Sequence, residues 1–119
     1  MQYMLAIYED DSAYEGGEAG QAWQDIIAAH TAYGEALAKA GVIRGGEGLA
    51  RAHTAKTVTK AGGTHTVHDG PFAEAQEQLG GFYIIEVDSL DAALDWARRI
   101  PLAGDGSVEV RPVLGPDGA

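Results

Sequence analysis

Tyr3 to Tyr8 reads YMLAIY and Phe82 to Val87 reads FYIIEV. Each is apolar on both parities, so a strand formed by either must have both of its faces covered. That demand constrains the architecture more than anything else in the chain. Only two other stretches have the apolar spacing of a long helix. One runs roughly from Glu18 to Ala40, where Trp23, Ile26, Ile27, His30, Gly34 and Leu37 recur at helical intervals and Gly41 supplies a stop. The other is DSLDAALDWARRIP, with Asp88 or Ser89 as cap and Leu90, Ala93, Leu94, Ala97 and Ile100 as its stripe. Arg98 and Arg99 sit where the helix dipole favours cations, and Pro101 ends it.

Between and after these lie weaker strand signals. VIRGGEGLA reads as a short strand broken by glycines. Residues 55–60 and 64–69 read as a hairpin around Gly62-Gly63, and SVEVRPV alternates as a last strand. A short helical turn is predicted from about Pro71 to Gln78. Pro71 suits a first helical turn, and Gly80-Gly81 closes the segment before FYIIEV. The order strand, helix, strand, hairpin, strand, helix, strand is the α+β split βαβ repeat of the ferredoxin-like fold with an inserted β-hairpin. Two helices cover one face of such a sheet. The economical cover for the other face is a second copy, sheet against sheet, which makes the expected assembly a homodimer in the form of a dimeric α/β barrel.

At 119 residues the chain is expected to form one domain over residues 1–113, with a flexible tail at 114–119. The net charge is −10 and the eight basic residues are scattered, so no nucleic-acid partner is expected. No apolar run reaches the roughly 20 residues of a membrane span, and the start lacks a basic region and cleavage site. The expected setting is cytoplasmic, with no membrane partner. With no cysteine, disulfides and thiol chemistry are excluded.

The candidate chemistry is sparse. His30, in the apolar stripe of the first helix, is the one obvious acid/base group for neutral pH. It reads equally as a packed core histidine with a single hydrogen bond. Glu109 and Arg111 alternate with Val108 and Val110, so the pair points away from the helices. There it would hold a carboxylate ligand or form a plain surface ion pair. Glu74, near the start of the predicted turn, joins them as a candidate ligand contact. His65 and His68 fall on opposite faces of a strand, which is poor chelating geometry, and no metal or cofactor is expected. The glycine runs fit no phosphate loop, and no G-x-S-x-G is present.

DGPFAEAQEQLGGFYIIEV, taken with YMLAIY, AGVIRGGEGL, ALDWARRIP and GSVEVRPV, resembles the YCII-related proteins of the DGPF subgroup over about residues 1–113. The resemblance implies a dimeric ferredoxin-like α/β barrel of unsettled biochemical function. It also implies a proposed catalytic pair in the smaller members: a helix-1 histidine, matched by His30, and an aspartate before a proline after the second helix. That aspartate is replaced here by Ile100, and Asp69 is the nearest substitute by residue type. Ala75-Gln76 stands where the subgroup has Thr-Lys. The expected function is a small-molecule-binding homodimer, open to cofactor-free acid/base catalysis by His30 with Asp69 and with Arg111 as ligand anchor. The alternative is a non-catalytic sensor or partner in extracytoplasmic-function sigma-factor regulation, because genes of the subgroup are often found beside those of such factors.

Overall fold

The computed structural model describes residues 1–73 and 75–115. The expected contact Glu74 and residues 116–119 of the expected tail lie outside the described residues. The chain forms a mixed α+β domain. Its main antiparallel sheet contains β1 (Gln2–Asp10), β2 (Ile43–Gly48), β5 (Glu77–Glu86) and β6 (Gly106–Pro112), in the order β2-β5-β1-β6. The helices are α1 (Gln21–Lys39) and α2 (Leu90–Arg98). A separate hairpin pairs β3 (Lys56–Ala61) with β4 (Thr64–Asp69).

The ends of α1 follow from its sequence. Gly20 enters extended, and the residues before it, Gly17–Ala19, make a tighter 3-10 turn rather than the first turn of the helix. At the other end Gly41 has φ +74°. Val42 N–H donates to the Leu37 carbonyl at 3.1 Å and Gly41 N–H to that of Ala38 at 3.0 Å, which together make a Schellman stop. Helix α2 is capped by Ser89, whose hydroxyl oxygen accepts from Ala92 N–H at 3.1 Å.

The core is the layer between sheet and helices. Tyr3, Leu5 and Ile7 of β1 and Ile85 of β5 meet Tyr33 and Leu37 of α1 and Ala93 of α2, with Ile100 behind them. Tyr33, absent from the predicted stripe, is buried because its hydroxyl reaches the Trp96 carbonyl at 2.7 Å. Ile27, in the predicted stripe, is instead 51% exposed. The opposite face carries Met4, Ala6, Phe82 and Ile84, with Glu109 and Arg111 beside them in register. Ala6 is 1% exposed although no helix covers that face.

The predicted turn from Pro71 to Gln78 is not helical. Among its described residues Phe72, Ala73 and Gln76 are bends, none is helical, and β5 already begins at Glu77. Gln78 Nε2 donates to the carbonyls of Ala73 at 2.8 Å and Ala75 at 2.6 Å, oxygens that a helix would have offered to its own next turn. Gln76, where the subgroup has lysine, donates to Asp10 at 2.7 Å. Gly80 and Gly81 therefore lie inside a strand instead of ending a helix. The register passes from Ile7 opposite Gly81 to Tyr8 opposite Leu79, which makes Gly80 the extra residue of a β-bulge. At Gly81 the neighbouring strand comes so close that an added Cβ would lie 2.9 Å from the Glu47 carbonyl oxygen.

Candidate active site

A cavity of about 580 Å³ opens between the first half of α1 and the sheet. This is the size range of sites for small organic ligands. Its apolar wall comes from Ile7, Trp23, Ile26, Ile27 and Leu49. Three polar pairs interrupt that wall.

The first is His30 with Tyr83. Position 30 lies one turn beyond Ile26 on α1 and position 83 faces the helices from β5, opposite Leu5. His30 Nδ1 is 2.8 Å from the Tyr83 hydroxyl, and the rings stack with centroids 5.9 Å apart at 18°. Tyr33 meets Tyr83 edge-on at 5.1 Å and Trp96 meets Tyr33 edge-on at 6.1 Å, so the ring of Tyr83 is fixed from behind. Burial holds the His30 pKa below its ordinary value, opposed by the Glu9 charge and by a hydrogen bond to the Pro101 backbone. Burial also raises the pKa of Tyr83. Near neutral pH the pair is thus an uncharged imidazole and a phenol. One hydrogen bond joins His30 Nδ1 and the Tyr83 hydroxyl, and the imidazole tautomer sets its direction.

The second pair is Glu9 with Tyr14. The Tyr14 hydroxyl donates to Glu9 Oε2 in a short hydrogen bond. Burial first, then Glu9, pushes the Tyr14 pKa well above the usual tyrosine value, which keeps the donor proton in place. Glu9 Oε1 is shut off from water and has no hydrogen-bond partner among the described residues. The third pair is Arg51 with Asp11, a two-pronged contact with Nε–Oδ1 at 3.0 Å and Nη2–Oδ2 at 2.5 Å.

The expected site residues are not gathered here, His30 apart. Asp69 ends β4 in an exposed 2.5 Å contact with Lys56, and it is not part of the cavity. The partner of His30 is a tyrosine rather than one of the carboxylates that the sequence offered. Glu109 and Arg111 bond to each other at 2.9 Å on the opposite face of the sheet. Ile100, in place of the aspartate of the proposed pair, is 7% exposed in the core, and the next residue, Pro101, supplies the backbone hydrogen bond to His30. The sequence reading missed Tyr83, Glu9, Tyr14 and Arg51. Tyr83 could have been found from the parity of FYIIEV, because it faces the same way as Ile85. Arg51 and Asp11 lie in loops that no periodicity links.

The family model of the YCII-related domain matches residues 1–115. The chain belongs to the YCII-related family. A relative from Rhizobium meliloti (strain 1021), described as an uncharacterized protein, is 40% identical over 118 residues, covering 95% of this chain and 92% of its own length. That likeness brings no activity with it, so the chemistry of this YCII-related domain has to be argued from the cavity. Among the described residues no group of three or more His, Asp or Glu side chains is placed to hold a metal ion. No helix is long and apolar enough to cross a membrane.

Proposed function

We propose that this YCII-related domain binds a small organic molecule in the His30–Tyr83 cavity and acts on it by acid/base chemistry without a cofactor. The observation that carries the reading is an uncharged histidine joined at 2.8 Å to a tyrosine hydroxyl in the wall of a cavity of about 580 Å³. Both residues line the cavity, and in this reading Nδ1 accepts from Tyr83 and the phenol meets the ligand. In the forward step the Tyr83 hydroxyl takes a proton from the ligand as its own passes to His30 Nδ1. The proton then returns through Tyr83 to a different atom of the ligand, an isomerisation that leaves neither residue charged after a cycle.

The strand order β2-β5-β1-β6 supports the ferredoxin-like split βαβ repeat with the hairpin inserted between its second and third sheet strands. The apolar side chains Met4, Phe82 and Ile84 opposite the helices support a homodimer closed sheet to sheet as an α/β barrel. Asp69-Gly70-Pro71-Phe72 supports placement in the DGPF subgroup, and the composition fits a cytoplasmic protein.

A thermal-shift screen of small organic compounds tests the site. Ligands that raise the melting temperature should lose their effect in Ile27→Trp, where an exposed side chain at the cavity is enlarged to fill it. Hits unaffected by Ile27→Trp would place binding elsewhere. Once turnover of a hit is found, His30→Asn and Tyr83→Phe should each abolish it while binding persists. Sedimentation equilibrium should give twice the 12.4 kDa chain mass.

A further inference from the structure

The charge of the cavity selects its ligand. Its lining holds the carboxylate side chains of Glu9 and Asp11 against one guanidinium, that of Arg51, while Glu47 pairs with Phe82 on the opposite face of the sheet. Two guanidinium nitrogens are taken by Asp11, and a Cβ at Gly17 would lie 3.0 Å from the third. The Asp11 carboxylate thus offsets the Arg51 charge and weakens it as an anchor for an anion. His30 adds no charge near neutral pH, because burial disfavours its protonated form. The whole chain repels anions as well, at a net charge of −10.

Within that field one atom lacks a partner. Tyr14 satisfies Glu9 Oε2, whereas Oε1 has neither a donor among the described residues nor contact with water. A buried carboxylate oxygen without a donor is unfavourable, and a ligand that supplies one relieves it. The neighbouring walls are aromatic. Trp23 stands edge-on to Tyr14 with centroids 5.1 Å apart, and Tyr83 lines the sheet side. Aromatic faces around a carboxylate make a recognised environment for an organic cation.

We infer that the cavity is specific for an organic ammonium compound, with its protonated amine on Glu9 and its apolar or aromatic body against Trp23, Ile26 and Ile27. The inference rests on the reading of the cavity as a ligand site and adds the ligand class. It departs from the expectation of a carboxylate ligand, which was founded on Arg111, a residue of the other face. In the proposed complex a small turn of the Glu9 carboxylate about its Cγ–Cδ bond brings Oε1 to the ammonium.

Three probes of one shape and different heads test it by calorimetry on the whole protein: 2-phenylethylamine, 2-phenylethanol and phenylacetate. The amine should bind at least tenfold tighter than the alcohol, and the carboxylate weakest. Glu9→Gln should reduce amine binding about tenfold and leave the alcohol unchanged. Should Glu9→Gln not fold, the ranking of the three on the natural sequence still decides. Alcohol or carboxylate binding as tightly as the amine, with loss of binding in Ile27→Trp, would overturn the ligand class and leave the cavity as a site. Amine binding that survives Glu9→Gln intact would overturn the role of Glu9. Binding by none of the three, with no hit in the wider screen, would overturn both this inference and the reading beneath it.

Discussion

Replacing Tyr83 by Phe removes one oxygen and leaves every ring contact in place. The stack on His30 at 5.9 Å and the edge contact with Tyr33 at 5.1 Å belong to the ring and should persist. What goes is the 2.8 Å hydrogen bond to His30 Nδ1. A bond of this kind contributes about 0.5–1.5 kcal/mol net, and its half-buried setting argues for the middle of that range, about 1 kcal/mol. An unfolding entropy of roughly 0.25 kcal/mol/K for a chain of this length turns 1 kcal/mol into a melting-temperature loss of about 4 °C. Thermal and urea unfolding of the natural protein, Tyr83→Phe, His30→Asn and the double variant would form a double-mutant cycle. The cycle should return a coupling of about 0.5–1.5 kcal/mol. A coupling of zero would mean that the two side chains do not bond in solution. That result would remove the relay from the proposed mechanism even if both residues still lined the cavity.

Four further outcomes follow from local geometry. Gly70→Val should destabilise by about 1 kcal/mol or more in urea unfolding, because φ is +95° there and no neighbour offers a clash to confuse the reading. Ser89→Ala should cost about 1 kcal/mol through the lost cap on α2, measured the same way, with Ser89→Asp retaining most of it. The adjacent glycines of β5 should respond in opposite ways. Gly80→Ala meets only ordinary contacts and should be near neutral, whereas Gly81→Ala pushes against the Glu47 carbonyl and should cost about 1–3 kcal/mol. His30 makes stability depend on pH in a definite direction. Its folded pKa lies below the ordinary 6.5, so its share is complete above that value and is lost as the pH falls toward the folded pKa, the unfolded chain taking up the proton first. His30→Asn should flatten that slope, and an NMR-titrated ring pKa at or above 6.5 would contradict the burial argument.

The frame of the molecule was legible because periodicity carries it. YMLAIY, FYIIEV and the two amphipathic helices each announced their type, and Gly62-Gly63 marked its hairpin turn, with φ +55° and +79° in the structure. The segment after Asp69 was misread because Pro71 and the later glycines carry the local marks of a helix. The competing event, Gln78 taking the Ala73 and Ala75 carbonyls, is a side-chain choice that no period encodes. The site was legible at one residue. His30 stood out by type and by its place among Ile26, Ile27 and Leu37. Glu9 and Tyr14 sit at the far end of β1 and in the loop beyond it, where they read as solvated. Only the closure of α1 over the sheet brings Trp23 onto Tyr14, and that contact is tertiary.

The pairing within the cavity also sets what a ligand must give up. An anion seeking Arg51 meets Asp11 in a two-pronged contact with it. That carboxylate offsets the Arg51 charge and stands beside the incoming one, so every bond gained is set against a repulsion. A hydrogen-bond acceptor seeking the Tyr14 hydroxyl would have to take it from Glu9, and one seeking Tyr83 would take it from His30. A donor breaks nothing at Glu9, because Oε1 is unclaimed among the described residues. The bulge at Gly80 belongs to the same arrangement. By shifting the register one residue it sets Gln78, not Leu79, opposite Glu9, and the Gln78 amide is spent on the Ala73 and Ala75 carbonyls instead of on the free oxygen. The double glycine therefore serves two ends. Gly81 admits the close approach of β2, and Gly80 sets the register in which the Glu9 carboxylate keeps one oxygen for a ligand.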